Sequence, residues 1–272
     1  MNYRHAFHAG NFADCMKHAL LVALLRALRR KDTPFFVLDT HAGIGRYDLA
    51  GPAALRTGEH RAGIDLLLND PPAALADYVG LVHQLGLYPG SPALIRALLR
   101  AQDRLACCEL HPQDAAALRR HFAHDPQVAV HQRDGWQAIR ALLPPPGLSR
   151  GLVLIDPPFE SGDDHARIVD AVRTARARLP GGIVAAWYPI KHRAPAHALH
   201  LDIRAAAIAD VIAAELWLRA PLDPARLNGC GLLIAAPPWR FEATAQPILE
   251  ALLSRLATEP GAGHALLRLT EE

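Results

Sequence analysis

With 272 residues, 51% of them hydrophobic and 21% charged, the chain has the composition of a soluble globular protein, long enough for one large domain or one domain with an insertion. A formal charge of +2 does not by itself announce a nucleic-acid partner, and charges such as Asp210 and Glu215 break up the apolar runs, which excludes a membrane-spanning helix. The opening residues lack the basic-then-apolar order of a signal peptide, and Cys15, Cys107, Cys108 and Cys230 form no C-x-x-C pair. A cytoplasmic protein with reduced structural thiols is expected.

Tyr3 to Asp14 is polar and aromatic without a period and reads as an ordered loop, with Asp14 placed to cap a helix from Cys15 to about Leu28. Lys17 and His18 then fall in its first turn, where basic residues oppose the helix dipole, a placement that hints at a site. Phe35 to Thr40 is a first buried strand. His41-Ala42-Gly43-Ile44-Gly45 follows, a glycine-x-glycine that lets backbone approach a ligand. The helix expected next is missing, and residues 48–88 read as a helical insertion. Residues 1–47 and 89–272 make up the main domain, and Ser91 is placed to cap the helix that runs through Arg100.

Leu105 to Leu110 is the second strand, with Glu109 near its carboxyl end, where an acid in a nucleoside-binding doubly wound fold holds ribose hydroxyls. Val128 to His131 is the third, followed by Asp134-Gly135, where an acid can bind an adenine amine. Gly151 to Ile155 is the fourth. Strands at Gly182–Pro189, Ala213–Leu218 and Gly231–Ala236 and a closing helix from Ala243 to Leu256 complete the alternation. Three basic clusters stand out: Arg26, Arg29, Arg30 and Lys31; Arg119 and Arg120; and Lys191, His192 and Arg193.

The fourth strand ends in Asp156-Pro157-Pro158-Phe159. Such a loop suits an exocyclic amine on a flat ring, whose delocalised lone pair makes it a poor nucleophile until its N–H bonds are accepted. Asp156 can accept one, the carbonyl of Pro157 another because a prolyl loop is stiff, and Phe159 can stack on the ring. An Asp-Pro-Pro that merely ends a strand is the plainer alternative. All four signals in this order are those of a class I, Rossmann-like methyltransferase with a seven-stranded, mostly parallel sheet. A nicotinamide enzyme would want the full G-x-G-x-x-G and an acid about twenty residues on.

Phe7-His8-Ala9-Gly10-Asn11, Lys17-His18, Asp39-Thr40-His41-Ala42-Gly43, Tyr88-Pro89-Gly90-Ser91-Pro92, Glu109-Leu110-His111-Pro112, Asp134-Gly135 and Asp156-Pro157-Pro158 together resemble the RlmJ family over almost the whole chain. The resemblance implies N6-methylation of one adenine in 23S ribosomal RNA, with S-adenosylmethionine as donor. It implies that Lys17, His18, His41, Gly43, Ser91, Glu109, Asp134, Gly135 and Asp156 bind the cofactor. It further implies that Asp156, Pro157, Pro158 and Phe159 form the catalytic loop and that Tyr3 and Phe159 contact the RNA. Phe159 stands where the family more often has tyrosine, so a hydroxyl hydrogen bond is lost while stacking is kept. No metal is implied, and a monomer acting on free or partly assembled RNA is expected. Methylation of DNA adenine or of a glutamine amide, or a non-catalytic role in RNA binding or assembly, stays open at this point.

Overall fold

In a computed structural model that describes residues 4–257 and 259–271, the buried apolar runs pair into one sheet of eight strands. β1 (Phe36–Asp39), β4 (Arg104–Glu109), β5 (Val128–Gln132), β6 (Arg150–Ile155) and β7 (Gly181–Ile190) are parallel and lie in the order β5-β4-β1-β6-β7. Beyond β7 come β9 (Gly229–Ala235), antiparallel to both neighbours, then β8 (Val211–Trp217) and β10 (Gly263–Thr270). This is the class I methyltransferase order with one strand added. The expected seven strands are therefore corrected to eight. β10 is hard to read from sequence because it is an edge strand whose one buried side chain is Leu269 and whose register breaks between Arg268 and Thr270.

Alternate residues of each strand feed two cores, as the two-residue period of a strand requires. Val37, Leu105, Leu152 and Leu154 face α1 (Phe12–Leu28), α5 (Ser91–Leu98) and α10 (Phe241–Leu256). Phe36, Leu38, Val153 and Ile155 face α7 (Gly135–Leu142), α8 (Asp164–Arg178) and α9 (Arg193–Ala205). α6 (Pro112–His121) reaches the first core through Leu118. Two short strands, β2 (Arg46–Tyr47) and β3 (Tyr88–Pro89), pair antiparallel and bracket α2 (Pro52–Thr57), α3 (Asp65–Leu68) and α4 (Ala76–Leu85). Ile64, Leu67, Tyr78 and Val82 of that stretch join the core of α1.

Three local expectations change. The cap of α1 is Asn11, whose side chain accepts from Asp14 N, so the helix starts earlier and Lys17 and His18 lie beyond its first turn. Gly90 precedes α5, and the Ser91 hydroxyl donates instead to Asp39 Oδ2 at 2.7 Å. Ile190 to Leu199 reads as helical from the sequence, but β7 runs on through Ile190 and the helix starts only at Arg193.

Asp103 fixes how the sheet starts. It is fully buried and accepts from Phe35 N at 3.0 Å and from Arg100 N at 2.8 Å and Nε at 2.9 Å, tying the entries to β1 and β4 together. Burial alone would raise its pKa; the Arg100 and Phe35 donors outweigh that and hold it below the ordinary 3.8. Its contribution is present above pH 3.8 and is lost as pH falls through the depressed folded value. Asp103→Asn is expected to cost about 1–3 kcal/mol at pH 7 by denaturant unfolding, a gap that narrows toward pH 3. A gap that stays constant on acidification would contradict this account.

Candidate active site

β1 is the point where the chain turns to β4 on one side and β6 on the other, and in open parallel sheets a ligand crevice forms outside the carboxyl ends at such a point. A cleft of about 850 Å³ opens there. Lys17, His18, His41, Gly43, Ser91, Glu109, Asp134, Gly135, Asp156, Pro157, Pro158 and Phe159 all line it. Tyr3 lies outside the described residues.

On the β4–β5 side the site is built from backbone. Glu109 Oε2 accepts from Gly43 N at 2.9 Å and Oε1 from His111 N at 2.7 Å. Burial raises the Glu109 pKa against the pull of those two donors. Gly43 has φ +62°, and a Cβ there would lie 2.3 Å from the Tyr47 hydroxyl, so glycine is required. A Cβ at Gly135 would come within 2.1 Å of Thr40 O. Asp134 caps α7 through Oδ1, which accepts from Trp136 N at 2.7 Å, while Oδ2 makes no hydrogen bond among the described residues.

On the α1 side one ammonium joins two elements far apart in sequence. Lys17 Nζ lies 2.9 Å from Asp14 Oδ1 and 2.5 Å from Asp156 Oδ2. Burial would depress this lysine, but Asp14 and Asp156 outweigh it and hold its pKa well above the usual range. Asp14 also takes His5 Nε2 at 2.9 Å and Gly10 N at 3.0 Å. Burial would raise its pKa, yet His5, Lys17 and His18 keep it well below the carboxylate range. His18 and His41 are pushed by burial down to about 3 and about 4, so both are neutral near pH 7. His18 Nδ1 lies 3.1 Å from the Tyr88 hydroxyl and His41 Nδ1 lies 2.8 Å from Thr40 Oγ1.

Phe159 holds φ +52°, a conformation that costs a non-glycine residue energy, and its ring meets Trp187 edge-on at 5.5 Å and His165 at 5.6 Å. Trp187 on β7 and Trp136 on α7, whose ring is 5.3 Å from His41, complete walls that sequence reasoning did not assign. Nor did it assign Asp14 or Asp39 to the site. Asp14 sits three residues before Lys17 on one helix, a spacing that puts both on one face and was the available signal. Asp39 was legible as an acid ending an otherwise apolar strand.

Residues 32–268 match the model of a family described as ribosomal RNA large subunit methyltransferase D, RlmJ. The chain belongs to the RlmJ family. It is 40% identical over 273 residues to the ribosomal RNA large subunit methyltransferase J of Escherichia coli (strain K12), covering 97% of each chain. It is 38% identical over 268 residues to the protein of the same name from Haemophilus influenzae, covering 95% of each. A crystal structure of a protein from Legionella pneumophila superposes with a TM-score of 0.87 at 33% identity, covering 96% of this chain and 98% of that one.

S-adenosylmethionine is the methyl donor that goes with this family and fold, and the cleft suits it. The acids Asp14, Glu109, Asp134 and Asp156 face one buried cation, Lys17, and neutral histidines, so the floor favours a cationic ligand. Behind Ser91 lies Asp39, fully buried, with Oδ1 lacking any hydrogen-bond partner. Burial, only partly offset by the Ser91 hydroxyl, lifts the Asp39 pKa to about 7. A carboxylate kept at such a cost fits a group that meets a cation.

Asp39 itself therefore subtracts stability as pH rises from 3.8 through about 7, where burial opposes ionisation of the folded carboxylate. Asp39→Asn is expected to unfold at higher denaturant than wild type at pH 8, with the gain shrinking toward pH 4, and to bind S-adenosylmethionine more weakly by calorimetry. Superimposable pH–stability curves would refute the assignment.

Proposed function

We propose that the chain methylates N6 of a single adenine in 23S ribosomal RNA, with Asp156 as the group that accepts the amine N–H. The observation that carries this reading is the carboxylate of Asp156 itself. Lys17 occupies Oδ2, Oδ1 makes no hydrogen bond among the described residues, and Lys17 and Asp156 both line the cleft that Glu109 and Asp134 share.

When bound, S-adenosylmethionine supplies an electrophilic methyl whose bond to sulfur breaks as the nitrogen–carbon bond forms, the electron pair leaving with sulfur. Asp156 Oδ1 and the Pro157 carbonyl would accept the two N–H bonds and draw N6 toward a tetrahedral shape with its lone pair on the methyl. Asp156 need not be a strong base, because the amine proton becomes acidic as nitrogen gains the methyl, and it then passes through Asp156 to solvent. Lys17 holds that carboxylate in place through Oδ2. Phe159 would stack on the base, with Trp187 as the wall that fixes the ring of Phe159. Glu109 would hold the cofactor ribose, Asp134 and Gly135 its adenine, and His18, His41, Gly43 and Ser91 the remaining wall of its pocket.

A base inside a helix cannot reach Asp156, so the acceptor is a single-stranded or flipped-out nucleotide of free or partly assembled RNA, met by one copy of the chain in the cytoplasm. The leaving group is carried on the donor, so no metal is needed to activate it. Residues 48–88 serve as an insertion subdomain that secures the loop before α1: Ile64 N donates to Gly10 O at 2.8 Å, and Glu59 takes His8 Nδ1 at 2.9 Å and Asn11 Nδ2 at 3.0 Å. Tyr3, just ahead of that loop, would meet the RNA.

Labelled methyl transfer from S-adenosylmethionine to protein-free large-subunit RNA lacking the modification tests the reading, with DNA as the competing polymer. Label is expected in N6-methyladenine of RNA alone. Asp156→Ala should reduce turnover by about a hundredfold or more while leaving cofactor affinity largely intact. Near-normal turnover in that variant would remove Asp156 from the role.

A further inference from the structure

We propose that Lys191, Arg193, Arg219 and Arg226 form the track that takes the phosphates of the substrate RNA, on the side of the cleft away from the cofactor. The inference rests on the cleft being the site of RNA methylation. Of the three basic clusters in the sequence, only the one at Lys191 reaches the cleft, and there it meets two arginines that are scattered in sequence.

Lys191 follows β7, Arg219 follows β8 and Arg226 precedes β9, and in the sheet these ends are neighbours, with Ile190 opposite Gly229 and Gly229 opposite Trp217. All three side chains line the cleft. Arg193, at the start of α9, lies with its guanidinium 5.4 Å from the ring of Trp217. Glu109 and Asp134 mark the nucleoside side at β4 and β5, with Asp156 and Trp187 between them and the basic rim. A base held at Asp156 would have its backbone leave over β7 to β9, where the cations are.

The rim is built rather than incidental. Asn228 is fully buried, and its Nδ2 donates to Lys191 O at 2.6 Å and Asp223 O at 2.7 Å, while its backbone N–H donates to Ile190 O at 3.2 Å and its carbonyl accepts Leu218 N at 2.9 Å. One residue thus holds the turn after β7 against the loop between β8 and β9. Glu259 Oε1 takes both Arg219 Nε at 2.7 Å and Arg226 at 3.0 Å, so a single carboxylate orients two guanidiniums and leaves them with positive charge in excess. The Lys191 ammonium is exposed and, among the described residues, makes no ion pair or hydrogen bond. The floor, rich in carboxylates, repels phosphate; the rim attracts it. That separation points the cation-binding and anion-binding ends of the cleft in opposite directions. Phosphate contacts of this kind position the strand without reading its sequence.

The test measures binding of a fluorescent 23S ribosomal RNA fragment by anisotropy, and methyl transfer to it, across 0.05–0.2 M salt, roughly the range in which counterion release dominates. Lys191→Ala, Arg226→Ala and the double variant are compared with wild type. For single strands each phosphate contact contributes about 0.7 to the slope of log affinity against log salt, so each substitution should lower that slope by about 0.7 and weaken binding about fivefold at about 0.1 M. KM for RNA should rise with kcat at saturation and S-adenosylmethionine affinity unchanged. Arg29→Ala/Arg30→Ala, after the far end of α1, should leave all of these at wild-type values. Unaltered slopes and KM in the rim variants would overturn the proposal. RNA binding with normal rim effects but no methylation would instead overturn the proposed reaction and leave the track standing. Absence of RNA binding by wild type would overturn both.

Discussion

A single buried ammonium between two carboxylates holds the site together. Lys17 Nζ reaches Asp14 from its own helix and Asp156 from the loop after β6, so the start of the chain and the proposed catalytic loop share one electrostatic contact. Burial by itself would favour the neutral forms of Lys17 and Asp14; the acids facing Lys17, and the cations facing Asp14, outweigh it and hold the lysine well above and the aspartate well below their usual ranges. The loop from His5 to Asn11, the insertion that braces it through Glu59 and Gly63, and α1 all bear on where that ammonium sits. A Cβ at Gly63 would fall 2.1 Å from Gly10 O, which shows how closely the insertion closes on the loop.

Charge is sorted along the cleft. At the floor, acids outnumber cations because burial neutralises His18 and His41 instead of letting them add positive charge. At the rim, arginines and Lys191 from three strand ends come together. A net charge of +2 hides this arrangement, since opposite fields within one cleft cancel in the sum. On the proposed reading, a cationic donor and an anionic polymer would be drawn to different ends of the same opening and meet at Asp156.

The parallel strands were legible because their apolar runs are uninterrupted and end in acids or glycines, and the acids at 109, 134 and 156 line one cleft as their spacing implied. The resemblance to the family rested on the same residues and on the loop before α1. What escaped were features whose signal is not local. β10 is half exposed and carries little period. Ser91 has the look of a cap, but its hydroxyl goes to a carboxylate 52 residues away in sequence. Asn11 and Asp14 both suit capping, and only backbone geometry gives Asn11 that place, freeing Asp14 for His5 and Lys17.

By itself the sequence determined the alternation of strands and helices, the sheet edge at which the cleft opens and the placement of Asp156-Pro157-Pro158-Phe159 at that edge, because these follow from hydrophobic period and from residue types at strand ends. Tertiary structure alone decided which charges meet. Lys17 and Asp156 are 139 residues apart, and the rim cations come from three separate strand ends. Burial, too, belongs to the fold: it leaves His18 neutral and lifts Asp39 to about 7, and a pKa is set by what surrounds a group rather than by its neighbours in the chain.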